Sequence, residues 1–337
     1  MTATARMLLL LLLAGFCAQQ TGCARNDALR MTGRQNHASY VPGEVSNRPV
    51  DVRVMSFNLR RPVVTDLWNH WAFRRNRAVA GIAAVAPDIL GTQEATPGMV
   101  RFLRSKLDGF DHVAAGRNTG GLGWNAGEST AVFFNTHRFA LRDSGHFWFG
   151  DAPDTPGRRA WGAWWPRMCT WARLREHHSG RELVVLNAHL SAVSRTARAR
   201  SAAQLRDAAA AIAGELPVIV TGDFNAGEHD LPFGELTADG ALTDTFRAVH
   251  ADRAIDTAAE GTHHGFGQRT RGHRIDWILT SAATTDRNLG LAPRLVPTAA
   301  GILHQRFGRG PLSDHFPVVA DLAWADRDAM LFAEATE

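Results

Sequence analysis

Cysteine is scarce in this chain. Its 337 residues include three, Cys17, Cys23 and Cys169. The first two lie in or at the end of an apolar amino-terminal segment, which leaves Cys169 alone in the part expected to fold. One cysteine can form neither a disulfide framework nor a zinc–cysteine cluster. The sequence therefore predicts that Cys169 is a small, buried, apolar residue.

Lysine is almost absent, since Lys106 is the single one. The formal net charge of +4 comes almost wholly from arginine, and no dense stretch of basic residues occurs. A mild positive charge of this kind permits an anionic substrate but does not indicate a nucleic-acid groove.

Long hydrophobic runs are missing beyond the amino terminus. The run at 7–16, MLLLLLLAGF, follows Arg6 and is too short for a mature membrane-spanning helix. The pattern is typical of a secretory signal peptide, which we place at residues 1–23. We expect an exported protein.

The end of this segment has two open interpretations. Gln20-Thr21-Gly22-Cys23 resembles a bacterial lipoprotein box, in which a lipidated Cys23 would tether the chain to a membrane. The small residues 22–24 also suit ordinary cleavage, which would give a periplasmic or extracellular protein.

The remaining chain reads as one domain. Residues 24–48 are polar and contain proline, as expected of a flexible tether. A single domain then covers 49–325, and 326–337 form a tail. No internal repeat occurs, and we expect a monomer without an obligate protein partner.

Short apolar runs predict more strands than helices. Strands are expected at 50–58, 88–94, 131–134, 171–174, 183–190, 218–225, 274–279 and 313–320, and helices at 74–86, 97–107 and 195–213. The segment 226–270 reads as loops. Several neighbouring strands suit hairpins, so the natural arrangement is two packed, mostly antiparallel sheets with helices outside, an α/β (α+β) fold.

The stretch TGDFNA at 221–226 ends one of these strands with two polar residues. If the chain stays extended, Asp223 and Asn225 point to the same side and Phe224 to the other. An ordinary turn would explain the same residue types. The rest of the chain favours function, because polar side chains recur at other strand ends. They are Asn58, Glu94, His189, Asp223, Asn225, Asp276, Asp314 and His315.

Such groups, if gathered at one sheet edge, would suit a metal and a phosphate. Carboxylate and amide oxygens are the ligands preferred by Mg²⁺ and Mn²⁺. Histidine can stabilise the charge that develops on a phosphoryl oxygen.

Seven motifs in order resemble the endonuclease/exonuclease/phosphatase family of metal-dependent phosphoesterases. They are MSFNLR (55–60), PDILGTQE (87–94), GEST (127–130), LNAHL (186–190), TGDFNA (221–226), RIDWIL (274–279) and SDHFPV (313–318). The resemblance implies a four-layered α/β sandwich that hydrolyses a phosphate ester with Mg²⁺ or Mn²⁺.

The resemblance also implies a role for each matching residue. Glu94 corresponds to the metal ligand, with Asn58 and Asp314 beside the metal or a second metal. Asp223 corresponds to the residue that activates water, and Asn225 to the one that positions water and phosphate. His315 corresponds to the histidine on the phosphoryl oxygen, oriented by Asp276. His189 and Glu128 resemble a second histidine–carboxylate pair.

The substrate is less well defined by sequence. Arg167, Trp165 and His264 are the candidate substrate-binding residues, although Trp165 also suits a core and Arg167 a surface ion pair. A lipid, sugar or inositol phosphate fits an exported enzyme. A secreted nuclease and a catalytically silent phosphate-binding surface protein are the alternatives.

Overall fold

The computed structural model describes residues 39–40, 51–252, 254–255, 259–267, 272–281 and 294–325. All of them belong to one unit, Asn36–Glu337. The predicted signal peptide, Cys17, Cys23, most of the predicted tether and the predicted tail lie outside the described residues. Within the described ranges, no helix has the length and apolar character needed to cross a membrane.

Twelve strands and five α-helices make up the described part of the chain. The strands are β1 (Val52–Asn58), β2 (Ile89–Ala95), β3 (Phe110–Val113), β4 (Ser129–Asn135), β5 (Phe139–Trp148), β6 (Met168–Glu176), β7 (Glu182–His189), β8 (Val218–Asp223), β9 (Leu242–Asp244), β10 (Asp276–Ser281), β11 (Arg294–Ile302) and β12 (Val318–Ala325). The helices are α1 (Trp71–Val85), α2 (Pro97–Arg104), α3 (Arg195–Ala213), α4 (Leu231–Thr237) and α5 (Thr245–Val249). Short 3₁₀ turns occupy Val64–Asn69 and Ala238–Gly240.

The strands form two six-stranded sheets. The first has the order β11-β12-β1-β2-β4-β3 and the second the order β5-β6-β7-β8-β10-β9. Each sheet contains one parallel pair, β1 with β2 and β7 with β8, and its other pairs are antiparallel. The predicted mostly antiparallel arrangement is confirmed.

Three apolar layers hold the sheets and helices together. Side chains of both sheets, such as Ile89 and Val185, meet in a buried layer between them. Leu205 of α3 belongs to a second cluster on the outer face of the second sheet. Ile82 of α1 and Met99 of α2 belong to the cluster on the outer face of the first sheet. The result is the four-layered α/β sandwich that the sequence predicts.

The local signals explain where the helices begin and end. Ser194 accepts a hydrogen bond from the Ala197 N–H and so caps α3. α1 begins three residues before its predicted start, and it stops because Ala86 adopts a left-handed conformation with φ of 50° ahead of Pro87. Cys169 is free and fully buried, as predicted.

The structure corrects the idea that every catalytic candidate ends a strand. Asp276 is the first residue of β10, and Asp314 and His315 precede β12. Because β10 and β12 run antiparallel to β8 and β1, their starts lie at the same edge as the ends of β8 and β1. The side chains still converge, by a different route from the predicted one.

Two residues of the predicted tether contact the domain. The Tyr40 N–H donates to the Ile302 carbonyl at 2.8 Å, and Ser39 Oγ lies 2.7 Å from His304 Nδ1. The chain therefore enters the domain beside the end of β11.

Candidate active site

Sheet register gathers the central residues of the site around Asp223. In the second sheet, Asp223 lies opposite His189 of β7 on one side and opposite Asp276 of β10 on the other. In the first sheet, Asn58 pairs with Gln93, so that Glu94 follows at the same edge. Packing of the two sheets then brings Asn58 against Asp223, where its Nδ2 donates to Asp223 Oδ2 at 2.8 Å.

Asp223 Oδ2 is the centre of the arrangement. His189 Nε2 lies 3.5 Å from it and His315 Nε2 lies 3.8 Å from it. The other oxygen, Oδ1, accepts the Asn225 N–H at 2.9 Å. Burial and the carboxylate of Asp276 raise the pKa of Asp223 to about 7. A carboxylate poised near neutral pH is suited to take a proton from water.

His315 and Asp276 form the predicted histidine–carboxylate pair. His315 Nδ1 donates to Asp276 Oδ2 at 2.8 Å, and both residues are buried. Burial acts to lower the pKa of His315, but the charges of Asp276 and Asp223 outweigh it and raise the pKa to about 10. His315 is therefore an imidazolium at neutral pH and can donate to an anionic oxygen.

The predicted pair of His189 and Glu128 is not formed. Glu128 Oε2 accepts from Arg117 at 2.7 Å, and Arg61 lies 3.3 Å from Glu128 Oε1. Burial, with the nearby charges of Arg167 and Arg117, lowers the pKa of His189 well below 6.5. His189 is thus a neutral imidazole, and the arginines rather than His189 engage Glu128.

Asn225 reaches its position through a turn. β8 ends at Asp223, and Asn225 has a left-handed φ of 50°, so strand alternation does not extend to it. Asn225 Nδ2 donates to the Leu190 carbonyl at 3.2 Å, while Phe224 turns into the core against Trp277. Phe224 packs into the core, but an Asx-type turn rather than the predicted extended strand follows Asp223.

Arg167 lines a small pocket together with His189, Glu128 and Arg117. Burial lowers the pKa of Arg167, and among the described residues its buried NH1 atom has no hydrogen-bond partner. The buried Nε of Arg117 also lacks a partner there. The N–H donors of these two guanidinium groups that lack a partner among the described residues are suited to anionic oxygens.

The two other predicted substrate residues differ in exposure, since Trp165 lies at the surface and His264 is half-buried beside His315. Trp165 is exposed, and its ring lies 5.5 Å from the Arg117 guanidinium. His264 packs on Phe316, with ring centroids 4.1 Å apart. Its neighbour His263 lies nearer the site, since His263 Nε2 is 3.9 Å from Asp314 Oδ2 and its ring is 4.8 Å from that of His315.

The oxygen ligands at this edge fit a hard divalent cation. Burial acts to raise the pKa of Glu94, but the Arg61 N–H and the charges of His315 and Arg60 lower it overall, so Glu94 is ionised. Asn58 Nδ2 lies 3.4 Å from Glu94 Oε1, and Asp314 lies 3.6 Å from Arg60. Carboxylate and amide oxygens of this kind are what Mg²⁺ and Mn²⁺ prefer.

Among the described residues, two groups of carboxylate and histidine side chains have possible ligand atoms that all lie within 4.8 Å of one another. These are Asp223, Asp276 and His315, and His263, Asp314 and His315. Because His315 is protonated and already bound to Asp276, the oxygen atoms of Glu94, Asn58 and Asp314 are the better candidates for holding a metal ion.

Sequence reasoning missed Arg117 and Arg61, and it noted His263 only as the neighbour of His264. Arg117 lies in a loop without hydrophobic periodicity, and its relation to Glu128 exists only in three dimensions. Arg61 follows the MSFNLR motif directly, and His263 precedes the predicted His264. Their nearness to those motifs was the available signal.

The chain belongs to the endonuclease/exonuclease/phosphatase family, whose model matches residues 55–315. It is therefore a metal-dependent hydrolase that acts on phosphoester bonds. No curated protein matches the chain.

Solved structures agree with this assignment. A mannosyl-6-phosphatase from Bacteroides thetaiotaomicron is 27% identical with a TM-score of 0.71, over 81% of this chain and 100% of that one. A family protein from the same organism is 28% identical with a TM-score of 0.71, over 82% and 98%. The human nocturnin catalytic domain with bound sulfate is 22% identical with a TM-score of 0.63, over 83% and 96%, and shows the fold alone.

Proposed function

We propose that this chain is an exported, Mg²⁺- or Mn²⁺-dependent phosphatase that hydrolyses a phosphomonoester of a polyol, either a sugar or an inositol phosphate. The observation that carries the proposal is the set of cationic donors around Asp223. His315 is an imidazolium, and Arg167 and Arg117 each have a buried N–H group without a partner in the described part of the chain. A phosphomonoester dianion presents three oxygens that such donors can bind.

Two further observations support the substrate class. The mannosyl-6-phosphatase from Bacteroides thetaiotaomicron resembles this chain, and the similarity covers 100% of that protein's chain and 81% of this one. The chain has no dense basic stretch of the kind that follows a nucleic-acid backbone. Export is supported by the amino-terminal sequence, with Cys23 as a candidate lipid anchor.

The residues divide the reaction between them. Asp223 takes a proton from a water molecule held with Asn225, and the oxygen of that water attacks phosphorus in line with the ester oxygen. His315, Arg167 and Arg117 stabilise the charge on the phosphoryl oxygens. The bond between phosphorus and the ester oxygen breaks, its electron pair stays on that oxygen, and the oxygen takes a proton from solvent water as the alcohol leaves. When bound at Glu94 and Asn58, with Asp314 near, the metal ion supplies further positive charge to the phosphate.

A comparison of monoesters and diesters tests this proposal. The purified chain is incubated with Mg²⁺ or Mn²⁺ and mannose 6-phosphate, inositol phosphates, bis-p-nitrophenyl phosphate or plasmid DNA, and product release is measured. We expect phosphate release from the polyol monoesters and no nicking of the plasmid. Nicked plasmid with intact monoesters would identify a nuclease instead.

Silence on every substrate would favour the phosphate-binding surface protein. The matched control is Asp223→Asn, which keeps the shape of the side chain and removes its basicity. Equal activity of this variant would contradict the assigned role of Asp223.

A further inference from the structure

Large hydrophobic side chains are exposed mainly at one end of the molecule. Among the described residues, twelve are exposed. Nine of these, at 48% to 96% exposure, lie in loops or first helical turns at the catalytic edge. The other three are less exposed, at 37% to 43%, and two of them, Leu141 and Val296, lie on edge strands near the opposite end. Isolated exposed hydrophobics are ordinary, but this distribution is not.

The nine side chains come from five connections, which we call the apolar rim. The connections follow β1, precede β4, precede β6, follow β7 and follow β8, and these strand ends carry or adjoin Asn58, Glu128, Arg167, His189 and Asp223. Representative rim residues are Leu67, Trp68, Trp124, Trp164, Val193 and Leu231. Because strands of both sheets contribute, the rim occurs on both sheets at the edge that carries the catalytic residues.

The residue types of the apolar rim favour a lipid surface over an oligosaccharide or a protein as the binding partner. Tryptophan suits the boundary between water and lipid, since its ring is apolar and its N–H is polar. An oligosaccharide would stack on aromatic rings and would gain little from Leu67, Val193 or Leu231. A protein partner would favour one contiguous patch, whereas here the apolar side chains are divided among separate loops.

The amino-terminal segment enters from the same side. Ser39 pairs with Ile302, which lies opposite Val318 at the catalytic end of β11 and β12. Cys23 precedes Ser39 by 16 residues (39 − 23), a stretch that spans at most about 55 Å when extended. A chain anchored through the lipoprotein box would therefore hold this edge within reach of the membrane surface.

We infer that the apolar rim docks on a lipid bilayer and places the catalytic site against the phosphates at its surface. Exposed charge on the five connections is balanced. The exposed cations are Arg61, Arg75, Arg158, Arg159, Arg195 and Arg200, and the exposed anions are Asp151, Asp154, Asp207, Glu215, Asp230 and Asp239. Insertion of apolar side chains, more than attraction to anionic lipid, drives the docking.

Vesicle binding tests the inference without reference to turnover. The chain from residue 24 onward keeps every described residue, because all of them belong to the unit Asn36–Glu337. It is sedimented with phosphatidylcholine vesicles, alone or with 30% phosphatidylglycerol. We expect binding to both. Replacing Leu67, Trp68 and Trp124 by Ser should lower the partition coefficient about tenfold or more.

The matched control replaces Leu141 and Val296 by Ser, which removes exposed hydrophobic side chains at the opposite end. We expect it to bind as the unchanged chain does, and both variants to keep the same melting temperature. No vesicle binding by the unchanged chain would overturn the inference. So would an equal loss in the control, or light scattering that shows the rim buried in a dimer.

Failure of the proposed function would look different. The inference partly rests on that function, because it assigns the substrate phosphate to a membrane surface. Vesicle binding without phosphate release from any monoester would leave the docking surface intact and contradict the phosphatase. Phosphate release from soluble mannose 6-phosphate without vesicle binding would do the reverse.

Discussion

The Asp223 side chain interacts with several polar and charged groups of the site at once. It is buried, it accepts hydrogen bonds from Asn58 and Asn225, and both His189 and His315 lie within 4 Å of its Oδ2. Asp276 raises the pKa of Asp223 and simultaneously raises that of His315. One carboxylate thus prepares a base and an acid for the same phosphate.

Replacing Asp276 by Asn should separate these effects. The amide keeps the shape of the side chain but loses the charge, so the pKa of His315 should fall from about 10. We expect kcat to drop on the order of 10²-fold. NMR titration of the His315 ring checks the pKa, and an unchanged titration would contradict the account.

Arg167 should act through substrate affinity and charge stabilisation. Its buried NH1 has no partner among the described residues, so it is free to bind a phosphoryl oxygen. Loss of one charged hydrogen bond of this kind costs about 1.5–3 kcal/mol, which is roughly 10- to 100-fold in kcat/KM. Arg167→Gln should show that loss in steady-state kinetics. Arg158→Gln, an exposed site on the same connection, is the control and should be neutral.

His304 should make the fold sensitive to mild acid. Burial lowers its pKa to about 4, below the ordinary 6.5. The unfolded chain therefore binds the proton first, and stability falls as pH drops from 6.5 towards 4. The loss at pH 5 should be on the order of 1 kcal/mol. Urea unfolding of the unchanged chain and of His304→Gln at pH 7.5 and 5 measures it, and equal pH slopes for the two proteins would rule it out.

At the scale of elements, a polar layer between the sheets lies directly beneath the site. Asn187 accepts from Gln93 at 2.7 Å and from Thr221 at 3.1 Å, and it donates to the Thr92 and Ala131 carbonyls. Gly91 leaves room for it, because a Cβ there would lie 2.2 Å from Thr221 Oγ1. Asn187 and Thr221 precede His189 and Asp223 by two residues each, so the layer sets how the two halves of the site meet.

Asn187→Leu should therefore harm activity as well as stability. It leaves several buried polar groups unpaired, at a cost of about 2–4 kcal/mol. Val185→Ala, two residues earlier in the same strand, should cost a similar amount by leaving a cavity. We expect only Asn187→Leu to lower kcat at a temperature where both are folded. Equal kcat values in the two variants would show that the layer serves stability alone.

Sequence reasoning missed helices α4 and α5, which lie in the segment 226–270 that reads as loops, and it missed four strands that share one position. β3, β5, β9 and β11 are the four edge strands of the two sheets. The central strands are buried on both faces and read as apolar runs bounded by Gly or Pro, which made them predictable. Edge strands carry polar residues, such as Arg142, Asp143 and Ser144 in β5 and Pro297 in β11, so their pattern resembles loops.

The residues of the candidate site also fall into those that the sequence could predict and those that it could not. Residues such as Asp223 and His315 could be predicted because TGDFNA and SDHFPV resemble motifs of the endonuclease/exonuclease/phosphatase family. The Arg117–Glu128 pair could not, since it depends on how the loop before β4 folds over the sheet edge. The left-handed backbone at Glu94, with φ of 58°, and at Asn225 is likewise a property of the folded site.

For the whole molecule, the essential point is that neither sheet holds a complete site. The first contributes Asn58 and Glu94, and the second contributes His189, Asp223 and Asp276. Packing of the two sheets brings the candidate metal ligands, base and charge-stabilising groups to one edge. The membership in the endonuclease/exonuclease/phosphatase family gives the reaction class, whereas the monoester is our proposal and rests on arginine donors without a partner among the described residues.

Metal dependence should follow from the ionised Glu94. The substitution Glu94→Gln keeps the size of the side chain but replaces the charged carboxylate by a neutral amide, which is a weaker ligand for Mg²⁺. We expect the Mg²⁺ concentration needed for half-maximal activity to rise about 10- to 100-fold. Calorimetric Mg²⁺ titration gives a second readout, and an unchanged titration would remove Glu94 as a ligand.

Metal-dependent hydrolysis through Asp223 is tested most simply by phosphate release from mannose 6-phosphate. The unchanged chain and Asp223→Ala are each measured with Mg²⁺ and with chelator. We expect phosphate release by the unchanged chain with Mg²⁺ only, and a rate of release that is lower by at least about 10³-fold in Asp223→Ala. Release that survives the chelator, or that persists in Asp223→Ala, would contradict this expectation.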